Sequence, residues 1–442
     1  MSEIQIIKRS SPAVISICGK QSYDESIQYR HSLFTIIVQE VDCTLLHSCL
    51  TGELVKVKNE RESIQYLVEN WFMVPVGYDE KKSLSQIKNL LRCLGKQRKT
   101  RYKTFEIITT TLCNARCFYC YEENFKHMTM NERTICQVVD FIYDHCADNT
   151  VKLKWYGGEP LMNVKAIDGI CKALKEKGIE FKSSMISNGL LFSELMIKNA
   201  YEIWNLSNVR ITIDGTEDSY NKIKNYKKIK GNAYKKLLMN IDSLLAVGIP
   251  VTIRLNIEEN NITDSKELLS RLCDKFQKNN LVDFMLRPLN NTDKNGNIES
   301  KGTKRDDIYS QISSMKVKLF EDGYDVNCGK LTGMTFFSCI ADSGTYIAIK
   351  PNGELVYCST DFDKKSYGTI YDKFDIYPCP DLSQNLFEKG DICNDCPLLP
   401  ICSPSKLCPS CLKPICSQAQ KSYNIMDIKL TMRKMYRKQY KK

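Results

Sequence analysis

Between Thr104 and Pro288 the chain alternates six times between a short apolar run and a segment of helical spacing, and this alternation limits the fold more than any other feature. The runs fall at 105–110, 151–155, 181–187, 209–213, 251–256 and 282–287. Strands joined through helices lie parallel, because each crossover returns the chain to the same end of the sheet. Six such units predict an α/β fold, curled into a partial (β/α)6 barrel or left as an open sheet. In barrels of this kind the chemistry sits in the loops after the strands' C-terminal ends. The intervening segments carry helix signals. Thr129-Met-Asn-Glu132 has capping-box spacing, and Tyr234, Leu237, Leu238, Ile241, Leu244 and Leu245 share one face before Gly248-Ile-Pro250 ends the helix.

Around this core lie 21 cysteines and only four histidines, His31, His47, His127 and His145. The N-terminal Met-Ser-Glu-Ile-Gln-Ile-Ile-Lys-Arg lacks a signal peptide's charged-then-apolar pattern. No run approaches the ~18 apolar residues of a membrane span. The expectation is a cytoplasmic protein with no membrane partner. Disulfides are rare there, so dense cysteine points to metal or redox chemistry, and with so few imidazoles the ligands must be thiolates. Thiolate sites select zinc or iron–sulfur clusters. The net charge of +11 gathers partly at Lys429, Arg433, Lys434, Arg437, Lys438, Lys441 and Lys442, which reads as a solvated basic tail. No nucleic-acid motif accompanies it, and no nucleic-acid partner is expected.

Directly after the first strand comes Cys113-Asn-Ala-Arg-Cys117-Phe-Tyr-Cys120, spaced Cys-x3-Cys-x2-Cys. Three thiolates in one loop can hold three irons of a [4Fe–4S] cube and leave the fourth open to a ligand. A zinc site is the plainer alternative. Further motifs end the later strands: Tyr156-Gly157-Gly158-Glu159-Pro160, then Ser187-Asn188-Gly189, then Asp214-Gly215, with Arg254 and Asn256 on the fifth. Their order and placement resemble the radical S-adenosylmethionine (SAM) superfamily. The resemblance implies that Cys113, Cys117 and Cys120 ligate a [4Fe–4S] cluster whose free iron chelates SAM. It implies that Tyr119 lies against the adenine, that Gly157, Gly158 and Glu159 receive the SAM amino group, and that Ser187, Asn188 and Arg254 complete the SAM site. Asp214 is a candidate catalytic base, or a helix cap or SAM contact.

The last part holds Cys339, Cys358, Cys393, Cys396, Cys402, Cys408, Cys411 and Cys416 among prolines and glycines. Cys339-x13-Gly353-x4-Cys358, then Cys393-x2-Cys396-x5-Cys402, is similar to the SPASM domain, which carries auxiliary iron–sulfur clusters. The similarity implies one or two auxiliary [4Fe–4S] clusters. Cys339 and Cys358 would serve the first, with Cys408 or Cys411 crossing to it; Cys393, Cys396, Cys402 and Cys416 would serve the second. Here Cys408 follows after five residues where the family has three, and Cys411 is extra, which leaves the crossover ligand open. A four-thiolate zinc site is the alternative. Cys328 and Cys379 are candidate supplementary ligands. Cys18, Cys43, Cys49, Cys93, Cys136, Cys146, Cys171 and Cys273 read as buried small apolar residues.

Three regions follow: residues 1–95, a small α+β module; 104–325, the barrel; and 326–442, the cysteine-rich domain with its basic tail. In the first, 32–41 and 54–57 read as strands and 63–70 as a helix, while 84–94 sets Leu84, Ile87, Leu90, Leu91 and Leu94 on one helical face. The module's order and size resemble the winged-helix-like leader-binding element of peptide maturases, implying recognition of a leader along a strand edge. The resemblance implies a maturase that cross-links a ribosomally made precursor peptide, with leader and core as partners and a flavodoxin or ferredoxin as electron donor. A sulfatase-maturing enzyme making formylglycine is the nearer alternative, and a non-catalytic metal-binding scaffold the more distant one. The residues ahead of Cys113 argue against the former, and the SAM-binding motifs against the latter.

Overall fold

In the computed structural model, residues 3–96, 101–227, 231–289, 302–334, 344–359, 366–372, 391–402 and 416–440 are described. The N-terminal segment runs β1 (Ile4–Lys8), α1 (Pro12–Cys18), β2 (Tyr29–His31), β3 (Thr35–Gln39), β4 (Thr44–Ser48), β5 (Leu54–Val57), α2 (Ile64–Glu69), β6 (Met73–Pro75) and α3 (Glu80–Lys96). These strands and helices include an antiparallel sheet in the order β1-β5-β4-β3, with β2 paired to β6. The strand expected over 32–41 starts only at Thr35. The Glu80 carboxylate accepts from Ser32 Oγ (2.5 Å) and Leu33 N (3.1 Å), and holds those residues out of the ladder. Along α3, Leu84 is buried and Ile87 half-buried, whereas Leu90 is exposed.

The six expected parallel strands are all present: β7 (Thr104–Thr110), β8 (Thr150–Gly157), β9 (Glu180–Ser187), β10 (Leu206–Thr212), β11 (Val251–Ile257) and β12 (Val282–Pro288). Between and after them lie α4 (Glu132–His145), α5 (Val164–Glu176), α6 (Glu194–Glu202), α7 (Glu217–Lys224), α8 (Ala233–Ala246), α9 (Ile262–Phe276) and α10 (Gly302–Glu321). The strand period of two decides what faces what. In β8, Val151, Leu153 and Trp155 enter the core shared with the helices, while Lys152, Lys154 and Tyr156 take the opposite, inner face. The cap of α4 differs from the capping-box expectation: Asn131 accepts from Thr134 N (2.9 Å), and Thr129 instead bonds the Thr110 hydroxyl.

Two strands from the cysteine-rich region, β13 (Tyr346–Ile349) and β14 (Leu355–Val356), extend this sheet to the order β12-β11-β10-β9-β8-β7-β13-β14. β13 runs parallel to β7, with Tyr346 opposite Thr104, and β14 returns antiparallel. The chain closes with α11 (Gln418–Tyr440). The expected basic tail is thus a packed helix: Arg433 pairs with Glu40 (2.8 Å), Lys434 pairs with Asp325, and Tyr436 donates to Asp42 (3.2 Å). Val14, Phe34, Leu45 and Leu54 of the N-terminal module share one apolar core with Leu331, Met334, Leu398, Leu399, Met432 and Tyr436. Among the described residues no helix is long and apolar enough to cross a membrane.

Candidate active site

The loop after β7 carries Cys113, Cys117 and Cys120, and neighbouring strand ends hold its shape. Glu159 N donates to Leu112 O (2.8 Å) and Arg116 N to Lys224 O (2.7 Å), while Lys227 N reaches Asn114 O (3.0 Å). The Arg116 guanidinium folds back on the carbonyls of Cys113 and Ala115, both at 2.7 Å. Gly157 and Gly158 also permit a close approach of backbone to backbone. A Cβ on Gly158 would stand 2.4 Å from Leu112 O, and one on Gly157 2.2 Å from Thr110 O. These are backbone atoms that cannot move aside, so the glycines let the end of β8 lie directly on the root of the cysteine loop.

Burial pushes the Cys113 thiol up to about 12 and Cys120 up to about 11, so both are protonated in the ligand-free protein. Cys113 lies in the field of Cys117 and Cys120. Its sulfur already accepts from Ala115 N (3.4 Å) and faces Asn188 Nδ2 (3.9 Å), donors that favour a thiolate. Among the described residues no three such side chains close on one point; binding a cluster draws the thiols together and removes their protons. Three cysteines on one loop, backed by two N–H donors, fit a [4Fe–4S] cluster with one open iron.

Glu159 is fully buried at the centre of the expected SAM motifs. Its carboxylate accepts from Leu161 N (3.1 Å), Ser187 Oγ (2.8 Å) and Asn188 N (2.8 Å), and Asn188 in turn donates to Asn114 Oδ1 (2.7 Å). Burial raises its pKa to about 7 against the pull of those donors. Glu159 therefore gathers the ends of β8 and β9 beside Cys113, and one lone-pair direction is left for a ligand's donor. Replacing Glu159 by Ala strands three buried donors. It should weaken SAM binding by about ten- to hundredfold, roughly 1.5–3 kcal/mol, while the cluster's absorption spectrum is preserved. Unchanged SAM affinity in equilibrium dialysis would reduce the segment to a turn.

Asp214, 1% exposed, follows β10. It accepts from Lys224 Nζ (3.0 Å), from Asn256 N (3.2 Å) and from the Tyr119 hydroxyl. Lys224 also reaches Tyr119 OH (3.1 Å). Burial opposes the lysine's charge, but Asp214 and Tyr119 hold its pKa well above the ordinary value. A buried ion pair is costly to break, so this trio ties the cysteine loop to β10 and α7. Lys224 escaped the sequence reading because nothing in Asn-Lys-Ile-Lys distinguishes a buried lysine from a surface one. Arg254, on β11, donates to Asn256 Oδ1 (2.8 Å).

At the C-terminal end, Cys416 lies in the field of Cys402, Cys396 and Cys393, so the four thiols expected for one auxiliary cluster share a neighbourhood. Burial lifts Cys416 to about 11. Cys358 follows β14 near Tyr346. Cys339, Cys379, Cys408 and Cys411 lie outside the described residues. Cys328 sits beside Asp427, and burial raises it to about 12. Of the cysteines expected to be buried, Cys43, Cys49, Cys146, Cys171 and Cys273 are; Cys18 is half-buried, and Cys136 is exposed on α4.

Residues 104–238 match a family model described as a 4Fe-4S single cluster domain. An uncharacterised protein of Methanocaldococcus jannaschii is 29% identical over 24% of this chain and 37% of its own length. A probable GTP 3′,8-cyclase of Methanococcus vannielii is 27% identical over 38% of this chain and 54% of its own. The chain thus spans about half or less of these two relatives. The GTP 3′,8-cyclase of Clostridium perfringens is 24% identical over 57% of this chain and 79% of its own length. Among solved structures, anSMEcpe with bound SAM aligns over 75% of this chain and 97% of its own, with TM-score 0.57 and 15% identity. SuiB of Streptococcus suis, bound to precursor peptide SuiA, aligns over 86% of this chain and 95% of its own, with TM-score 0.52 and 12% identity. Residues 104–238 thus match a 4Fe-4S cluster domain and the chain shares the fold of anSMEcpe and SuiB; together with the cysteine loop and the residues that meet around Glu159, these matches support a radical SAM enzyme using SAM and a [4Fe–4S] cluster.

Proposed function

We propose that this enzyme modifies a ribosomally made precursor peptide, forming a cross-link within it. The observation that carries the reading is the antiparallel sheet ahead of the barrel, with β3 as an edge strand. Glu40 N donates to Cys43 O (2.9 Å) and Cys49 N to Phe34 O (2.8 Å). By the antiparallel alternation, Ile37 and Gln39 then direct their N–H and C=O groups away from β4, toward an added strand. SuiB, whose fold aligns with 86% of this chain, was solved with its precursor peptide, which supports a peptide substrate. A sulfatase-maturing activity gains support from the anSMEcpe fold alone, and leaves the N-terminal sheet without a task.

When bound, the cluster and SAM supply a 5′-deoxyadenosyl radical able to take hydrogen from an unactivated carbon. The chain's own residues prepare the site. Cys113, Cys117 and Cys120 would hold the cluster. Glu159, with Ser187 and Asn188, would orient the amino end of SAM. Tyr119 is fixed by Asp214 and Lys224, so we assign Asp214 a positioning role rather than that of the base. An acidic flavodoxin or ferredoxin suits the net charge of +11 as electron donor.

The test uses peptides encoded by small open reading frames beside the gene, in a fluorescence-polarisation titration of the intact enzyme. Ile37→Pro removes an outward N–H without touching the β3–β4 ladder. It should weaken leader binding at least about tenfold and leave peptide-free release of 5′-deoxyadenosine within about twofold. Equal binding by variant and wild type would remove β3 as the docking edge.

A further inference from the structure

We infer that the inner face of the barrel carries a subsite for a substrate carboxylate, built by Arg210, Arg254 and Arg287; the inference rests on the peptide reading above. The three arginines occupy consecutive strands, β10, β11 and β12. On those strands Val209, Ile211, Ile253, Leu255, Phe284 and Leu286 enter the helix-side core, so the alternating arginines take the opposite face. Arg210 lies opposite Thr252, two residues before Arg254, and Arg287 lies opposite Asn256, two residues beyond it. The guanidinium groups therefore step along the inner face toward the strand ends where Asp214 and the cysteine loop stand.

One carboxylate among the described residues stands within ion-pair distance of these three arginines. Arg287 shares the Asp427 carboxylate (3.3 Å) with Lys316, which is nearer at 2.6 Å. Among the described residues Arg254 donates to the neutral Asn256 and has no ion-pair partner. Arg210 Nε is buried with no hydrogen-bond partner, and no carboxylate stands within ion-pair distance of Arg210 among the described residues. Asp283 lies in the same row: burial raises its pKa, Thr252 and Asn327 attend its carboxyl group, and its charge acts on Arg210 without any ion pair at 4.0 Å or less among the described residues. Burial, then the nearby Arg254 and Arg287, lower the Arg210 pKa. A half-buried cation with no ion-pair partner costs stability. A planar guanidinium fork takes carboxylate or phosphate oxygens with two parallel bonds, and an arriving oxyanion would convert that cost into affinity. The rim above Arg210 includes Tyr156, hydrogen-bonded to Tyr121 and packed with Ile108 and Phe125, a surface suited to a peptide. We assign the oxyanion to an Asp or Glu side chain of the precursor.

The same chemistry could come from the methionine carboxylate of SAM or from a nucleoside triphosphate, and the experiment separates these sources. Reconstituted enzyme with SAM is titrated calorimetrically with two synthetic dodecapeptides that differ only in two Glu replaced by Gln, and separately with GTP. The Glu peptide should bind at least about tenfold more tightly than the Gln peptide, and Arg210→Gln should erase that preference. Arg210→Met should melt no lower than wild type, because it removes a half-buried charge that has no ion-pair partner. Equal binding of both peptides by wild type overturns the subsite, as does a preference that survives Arg210→Gln. A tenfold loss of SAM affinity in Arg210→Gln, without any peptide preference, assigns the oxyanion to SAM and overturns the proposal. Arg210-dependent binding of GTP alone retains an anion site but rejects the peptide. A lowered melting temperature in both variants with peptide preference intact makes Arg210 structural and overturns the role given it.

Discussion

Changing Cys113, Cys117 and Cys120 together to Ala should abolish release of 5′-deoxyadenosine yet leave substantial iron and sulfide in the anaerobically reconstituted protein. The first part follows from the loop: no other described thiol lies beside Glu159, Ser187 and Asn188 to replace a lost ligand. The loss should be complete within detection, because without the cluster no electron reaches SAM. The second part follows from the distance in fold between this loop and the thiols at the other end, where Cys393, Cys396, Cys402 and Cys416 share one field. Iron and sulfide analysis of the triple variant decides the matter. An iron-free variant, or native protein carrying zinc at that end, would sink the auxiliary-cluster assignment.

Deleting residues 1–95 should yield insoluble protein that neither cleaves SAM nor processes peptide. On sequence grounds the module is separable, since every SAM motif follows Thr104. The packing argues otherwise: Leu331, Met334, Leu398, Leu399 and Met432 are buried against Phe34, Leu45 and Leu54. At roughly 1.5–3 kcal/mol for each buried apolar side chain, exposing those five costs roughly 8–15 kcal/mol, comparable to the whole stability of a typical domain. Lys88 also donates to Leu399 O (2.7 Å), so the cut leaves a buried carbonyl unpaired. Soluble yield and 5′-deoxyadenosine release test this directly. A soluble truncated enzyme cleaving SAM at the wild-type rate would mean that the module merely rests on its neighbour.

The parts of the fold legible in the sequence are those in which local pattern and final environment agree. Strands β7 to β12 are covered by helices on one face, so their apolar runs stand out, and the site motifs fall at their ends. β4 and β1 were missed because Thr-Leu-Leu-His-Ser and Ile-Gln-Ile-Ile-Lys carry no clear alternation. β13 was missed because Tyr-Ile-Ala-Ile lies among cysteines and turns, although Ile347 and Ile349 join the barrel core. In the site, the cysteine loop and Glu159 were legible as motifs. Lys224 and Arg210 were not, because their roles come from residues far along the chain, and charged residues are ordinarily read as surface.

The pairing of β13 with β7 also has a consequence during synthesis. β7 is the first barrel strand to leave the ribosome, and all seven of its residues end up buried. One of its edges finds β8 within about 50 residues, but the other stays unpaired until β13 emerges, about 240 residues later. At ribosomal rates of about 5–20 residues per second this leaves an apolar strand edge open for roughly 12–50 s. Such an edge is a template for pairing with another chain. Newly made chains should therefore depend on chaperone cover until the C-terminal region arrives, and chains ending before Tyr346 should accumulate as aggregates rather than as free barrels.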